Sequence, residues 1–266
     1  MMSIGEIMQE SRKIVIKIGT NTLSDEKGFV NKDYLFKLAS QVNELKKQGK
    51  QVVLVSSGAR IAGVATLGKW ALKGEVHYKQ ALCAIGQVEL MDAYRKAFFE
   101  YGIHIGQMLF TKDDFFDNHR ILNIRNTLFT LIDEGVVPIV NENDSVSVEE
   151  IKIGDNDTLA AYTAHLWNAD VLILLSDIKG IYNKNPKEYS DAILIERIVD
   201  VNQIQKIAEI GDAGSFGIGG MHTKIQAAKL VNEHGIPMIL ANGAKENIIL
   251  DLLEGKEKGS LFLPKI

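Results

Sequence analysis

Two lysines, an aspartate and two short runs of carboxylates and amides are the residues of this chain whose types and spacing could do chemistry. Lys17 interrupts the apolar run Ile14-Val15-Ile16-Lys17-Ile18, which opens into Gly19-Thr20. A lysine inside such a strand needs a partner, unless it snorkels from an exposed strand end. Lys224 closes the segment Gly217-Ile218-Gly219-Gly220-Met221-His222-Thr223-Lys224. Glycines there permit close backbone approach, and helix-entry amides suit an anion. Lys224 is expected in the first helical turn, where the dipole disfavours a cation unless an anion shares the site. A glycine loop with a solvated lysine is the plainer alternative.

The polar runs Asn141-Glu142-Asn143-Asp144 and Gly154-Asp155-Asn156-Asp157 follow the apolar stretch Val136-Val137-Pro138-Ile139-Val140. In an open α/β sheet, ligands sit beyond the carboxyl ends of strands, so these side chains are well placed to meet one. Neither run contains Lys, Arg or His. A site lined this way suits a ligand that carries an ammonium group. Asp157 precedes Thr158-Leu159-Ala160-Ala161 and could instead cap a helix. Calcium is disfavoured, because Asn141, Asn143 and Ser145 lack the glycine and distal glutamate of a calcium loop. The turn Ser56-Ser57-Gly58-Ala59 could hold a carboxylate or simply join a strand to a helix.

Other chemistries fall away. No G-x-x-x-x-G-K-[ST] occurs, and no G-x-G-x-x-G follows a strand, so any phosphate site is built differently. The six histidines show no metal-ligand spacing, and none accompanies a nucleophile elbow, so no protein-held metal and no hydrolytic triad are expected.

The elements that must position these groups alternate between short apolar runs and longer stretches of helical period. Candidate strands are Lys13–Ile18, Gln51–Val55, Ile103–Phe110, Val136–Val140, Val171–Leu175 and Pro237–Leu240. They read as continuous apolar runs, as in a parallel sheet covered on both faces, which makes the fold α/β. Asn31 should cap a helix reaching Lys47, with Leu35, Leu38, Val42 and Leu45 on its core face and Gly49 beyond its end. A further helix is expected from about Met221 to Glu233.

Composition sets the outer limits. The chain has 266 residues, 46% hydrophobic and 24% charged, with a net charge of −4 and scattered basic residues. Nothing there argues for a nucleic-acid partner. Its single cysteine, Cys83, is expected to be a buried small hydrophobe. No run reaches the length of a membrane span, so a cytoplasmic protein without a membrane partner is expected.

Six ordered segments together resemble the amino acid kinase family over nearly the whole chain: Val15–Thr20, Ser56–Ala59, Gly102–Leu109, Asn141–Asp144, Lys152–Asp157 and Gly219–Lys224. Leu175–Tyr182 is similar to a nucleotide-side segment shared widely in that family. The resemblance implies a three-layer αβα sandwich around a mainly parallel sheet. It implies one domain over residues 1–266, its N-terminal part holding an amino acid and its part from about 170 to 266 the nucleotide; in a departure from many family members, no C-terminal RNA-binding-type domain is expected. The implied reaction is ATP-dependent phosphorylation of the side-chain carboxylate of L-glutamate, on the route to proline. Lys17, Asp157 and Lys224 would be catalytic, and Ser57, Asp144 and Asn156 would bind glutamate. ATP would meet Lys17, Ser176, Asp177, Ile218, Gly219, Gly220, Met221, His222, Thr223 and Lys224. Mg2+ would be held mainly by phosphates, proline would be a feedback inhibitor, and the chain would be a homo-oligomer. His222 stands where relatives often carry a smaller hydroxyl residue, and Ile218 where threonine is common. The rival readings are a family member acting on acetylglutamate, aspartate, carbamate or a nucleoside monophosphate, and a non-catalytic amino acid sensor.

Overall fold

A computed structural model describes residues 2–69, 76–146, 156–184, 186, 188–204 and 218–264. Of the segments singled out above, Lys152–Asp155 and Gly217 lie outside the described residues. The chain divides into two compact units, one of Met1–Lys17 with Asp157–Ile266 and the other of Ile18–Asn156.

The unit Ile18–Asn156 contains α2 (Thr20–Leu23), α3 (Lys32–Lys47), β2 (Gln51–Val55), α4 (Ala59–Leu67), α5 (Val76–Phe99), β3 (Ile105–Phe110), α6 (Asn118–Asp133) and β4 (Val137–Glu142). Its strands run β3-β4-β2, all parallel. The capping signal at Asn31 is used as read: its side chain accepts from the Tyr34 amide at 3.0 Å, and Leu35, Leu38, Val42 and Leu45 are buried. Gly49 follows the helix at φ +78°, a left-handed conformation that costs glycine little.

The other unit contains α1 (Ile4–Glu10), β1 (Lys13–Ile18, whose last residue belongs to the first-described unit), α7 (Asn156–Trp167, begun by that unit's last residue), β5 (Val171–Ser176), β6 (Arg197–Ile198), α8 (Ile218–Glu233), β7 (Met238–Asn242), α9 (Ile248–Leu253) and β8 (Ser260–Phe262). Here the order is β1-β5-β7-β8-β6, with β7 and β8 antiparallel and the pairs β5–β7 and β6–β8 parallel. The eight mostly parallel strands among the described residues, interspersed with helices, are the expected α/β class. Within β1, β2, β4, β5 and β7 nearly every residue is buried, which explains why they read as unbroken apolar runs.

β5 runs on to Ser176 rather than ending at Leu175, and β7 spans Met238–Asn242 rather than Pro237–Leu240. The starts of β3 and β4 differ from the expected ones for one shared reason. β3 begins at Ile105 because Gly102 and Ile103 close α5, their amides bonding back to the carbonyls of Phe99 and Phe98. β4 begins at Val137 because the Val136 amide closes α6 onto Leu131, and it continues through Asn141 and Glu142, which pair with Leu109 and Phe110. Asn141 is therefore a strand residue. Strands β6 and β8 were not anticipated, being too short to show a period.

Helices α4 and α5 cross at backbone contact. A Cβ on Gly86 would lie 1.7 Å from the Ala59 carbonyl oxygen and 2.5 Å from the Gly63 nitrogen, and one on Gly63 would lie 1.9 Å from the Leu82 carbonyl oxygen. Only glycine fits at either position. Cys83, on the same stretch of α5, is buried as expected. Gly86→Ala should therefore cost about 2 kcal/mol or more through overpacking, read as a lowered urea midpoint. An unchanged midpoint would mean that the helices separate freely.

Candidate active site

β1 delivers Lys17, the first turn of α7 delivers Asp157, and α8 delivers Lys224 to one buried cluster. The Lys17 Nζ lies 2.6 Å from Asp157 Oδ1, and the Lys224 Nζ lies 3.0 Å from Asp157 Oδ2. Their exposures are 5%, 0% and 7%, so the partner that a buried Lys17 requires is Asp157. Thr223 adds a hydroxyl, which donates to Asp157 Oδ2 at 3.1 Å, and the Lys224 ammonium also donates to the Gly220 carbonyl at 3.1 Å.

Burial makes the Asp157 carboxylate costly to ionise, but the charges and hydrogen bonds of Lys17 and Lys224 outweigh that, and its pKa falls below the ordinary carboxylate value. Both carboxylate oxygens are engaged, each by one ammonium group. The position of Asp157 also favours ionisation, since a carboxylate in the first turn of a helix meets the positive end of its dipole.

Two readings need correction. Asp157 is not an N-cap, because α7 already begins at Asn156 and the Asp157 side chain turns to the lysines. Lys224 is not in the first turn of its helix, because α8 begins at Ile218 rather than near Met221. Its presence therefore rests on Asp157 and not on dipole strain.

The remaining residues implied on the nucleotide side are spread along two elements. Ser176 ends β5 and donates to Asp177 Oδ1 at 3.1 Å. His222 is exposed and lies 2.8 Å from the Gln226 side-chain nitrogen, so it does not join the triad. Met221 is half-buried, Ile218 and Gly219 belong to the first turn of α8, and the Ile218 side chain lies outside the described residues.

The unit Ile18–Asn156 holds a second polar cluster, built from amides and hydroxyls. The Asn156 Nδ2 donates to the Ser56 carbonyl, to Asn141 Oδ1 at 2.8 Å and to Ser57 Oγ at 3.1 Å. Asn141 in turn accepts from the Glu142 amide at 2.9 Å and donates to Gln87 Oε1 at 2.8 Å. Ser56 is fully buried, and its hydroxyl accepts from Tyr94, whose own phenol is pushed well above its ordinary pKa by burial. Ser57 and Asn156 are thus brought together. Asp144 is half-buried and, with Gln87, Gln107, Glu142 and Asn143, lines a cavity of about 610 Å3.

Asn141, Gln87 and Ser56 were missed as working parts of this cluster. Asn141 lay in a polar run that read as ligand-facing, although it is 2% exposed and faces other protein groups. Gln87 carries no sequence signal at all, lying 54 residues from its partner.

The described residues thus gather two lysines, one carboxylate and a hydroxyl beside a helix whose first residues include Gly219 and Gly220. The model of the amino acid kinase family matches residues 12–242. The chain belongs to this family. It is 64% identical over 259 residues to a glutamate 5-kinase of Alkaliphilus metalliredigens, covering 97% of this chain and 98% of that relative. It is 45% identical over 253 residues to a glutamate 5-kinase of Clostridium acetobutylicum, covering 95% of each. Among solved structures it is similar in fold to a carbamate kinase of Giardia lamblia bound to AMP-PNP, at a TM-score of 0.69 and 18% identity, covering 96% of this chain and 99% of that one. A UMP kinase of Ureaplasma parvum is similar at a TM-score of 0.67 and 17% identity, covering 94% and 98%. Among the described residues, no helix is long and apolar enough to cross a membrane.

Replacing Asp157 with asparagine strands two buried ammonium groups. Asp157→Asn is expected to cost about 3 kcal/mol at neutral pH in a urea melt, the scale of breaking a buried pair. Because the folded-state pKa is depressed, the Asp157 contribution is complete above the unfolded-state value near about 4 and fades as pH falls through the lower folded value. The gap between wild type and variant should therefore hold from neutral pH to about 5 and shrink only below about 4. A gap that closes already near neutral pH would contradict this charge assignment.

Proposed function

We propose that this chain transfers the γ-phosphoryl group of ATP to the side-chain carboxylate of L-glutamate, forming an acyl phosphate. The observation that carries the phosphoryl-transfer reading is the buried Lys17–Asp157–Lys224 triad. The choice of acceptor is supported by near full-length identity to relatives named glutamate 5-kinase.

The chemistry suits what these residues offer. A glutamate side chain, with a reference pKa near about 4.3, is already ionised at neutral pH and needs no general base. The protein's task is to position two anions and to offset their charge. Lys17 and Lys224 neutralise charge on the transferring phosphoryl group, and Asp157 holds both ammonium groups in place so that no reorganisation is needed as that charge shifts. The backbone at Gly219 and Gly220 approaches phosphate closely, with Thr223 alongside. Asp144 pairs with the α-ammonium of glutamate, while Ser57 and Asn156 supply a hydroxyl and an amide oxygen.

In this reading the unit Ile18–Asn156 holds the amino acid, and the unit Met1–Lys17 with Asp157–Ile266 holds the nucleotide. Both oxygens of Asp157 are taken by ammonium groups, so it does not suit a metal. The Mg2+ that accompanies ATP would be held mainly by phosphate oxygens and water, supplying charge neutralisation there. The reading extends to a cytoplasmic homo-oligomer restrained by proline, for which solution mass and activity with and without proline are the test.

Acyl phosphate trapped as hydroxamate should form with ATP and L-glutamate well ahead of N-acetylglutamate and L-aspartate; preference for either analogue would sink the assignment. Lys224→Ala is expected to lower turnover by about a hundredfold or more with little change in the glutamate requirement, the signature of a transition-state contact. Asp144→Ala should instead raise the glutamate KM by at least about tenfold. Equal effects on both parameters would mean that these roles are wrongly divided.

A further inference from the structure

The amide of Asn156 can meet an ammonium group only if its oxygen, and not its nitrogen, faces the ligand. Its nitrogen is committed elsewhere. The Ser56 carbonyl can only accept, and so can the Asn141 Oδ1 at 2.8 Å, so the group facing both must be Nδ2. Asn141 is oriented by equally strict logic. The Glu142 amide can only donate, and its partner at 2.9 Å is Asn141 Oδ1. That leaves the Asn141 Nδ2 as a donor on a side chain 2% exposed to water. Its acceptor is Gln87 Oε1 at 2.8 Å.

We infer that Gln87 is a positioning residue for the acceptor amino acid, acting through Asn141 to hold the Asn156 oxygen toward the substrate ammonium. This rests on the glutamate-kinase reading above. Without the Gln87 acceptor, Asn141 would bury an unpaired donor, a cost large enough to drive it from its seat and to release Asn156.

Two further features support the assignment. Gln87 keeps its Oε1 toward Asn141 although this leaves its own Nε2 buried with no hydrogen-bond partner among the described residues. A glutamine free to choose would turn its donor to an acceptor or to water, so the orientation is imposed. The second feature is local geometry. Gln87 follows Gly86, the point at which α5 touches the backbone of α4 at Ala59 and Gly63. α4 begins just past Ser57, so the helix contact places Gln87 relative to the turn that also supplies the Ser56 and Ser57 partners of Asn156.

The test is steady-state kinetics of hydroxamate formation for the wild type, Gln87→Met and Gln87→Glu. Methionine matches the length of glutamine but cannot accept from Asn141 as a carbonyl does. Glutamate keeps that acceptor. Gln87→Met is expected to raise the KM for L-glutamate by about tenfold, the worth of a lost buried hydrogen bond, while leaving kcat within about threefold and the KM for ATP unchanged. Gln87→Glu should keep the glutamate KM within about threefold of wild type, since the bond to Asn141 survives. If Gln87→Met does not fold, Gln87→Ala is read in its place. An unchanged glutamate KM in the methionine variant, a glutamate variant as impaired as the methionine one, or an equal rise in the KM for ATP would each overturn the inference. A wild-type protein that makes no acyl phosphate from L-glutamate would remove the functional reading first, and the role of Gln87 with it.

Discussion

One carboxylate shared by two buried ammonium groups is the interaction on which the unit Met1–Lys17 with Asp157–Ile266 depends. Burying three charges is costly, and it is tolerable here because each oxygen of Asp157 meets its own lysine and Thr223 adds a hydrogen bond. That arrangement constrains the elements around it. β1 must carry a lysine through an otherwise apolar strand, α7 must start where its second residue reaches that lysine, and α8 must bring Lys224 to the same point.

The amide cluster in the other unit solves a different problem with different groups. Among the described residues it contains no cation, and its polarity is set by backbone groups that can only donate or only accept. Those groups decide which end of Asn141 and of Asn156 faces where. Asn156 and Asp157 are consecutive at the start of one helix, and consecutive helical side chains point about 100° apart. One turns to Ser56, Ser57 and Asn141, and the other to the lysines.

Much of the fold was readable in advance because its strands are buried on both faces and its helices keep a regular period. β1 and β2 match their expected limits, and Asn31 with Gly49 marks α3 at both ends. Departures came where a helix borrowed residues to satisfy its last carbonyls, as at Gly102 and Val136, or where a strand was too short to show alternation, as in β6 and β8. The charged residues of the site were legible because a lysine in an apolar strand is an anomaly that demands a partner. Gln87 was not, since an amide on a long helix is ordinary until its neighbour across the fold is known.

By itself the sequence determined the α/β class, the set of polar groups and the need for Lys17 to be compensated, because periodicity and charge within apolar runs are local properties. Its likeness to a family added an expected reaction. Only the tertiary structure decided that Asp157 supplies both ammonium partners rather than a helix cap, that Lys224 lies beyond the first turn of α8, and that Asn141 is a buried strand residue joined to Gln87. These are pairings across dozens of residues or more, set by helix packing at Gly63 and Gly86 and by parallel strand register, and no local pattern encodes which distant side chain will stand opposite.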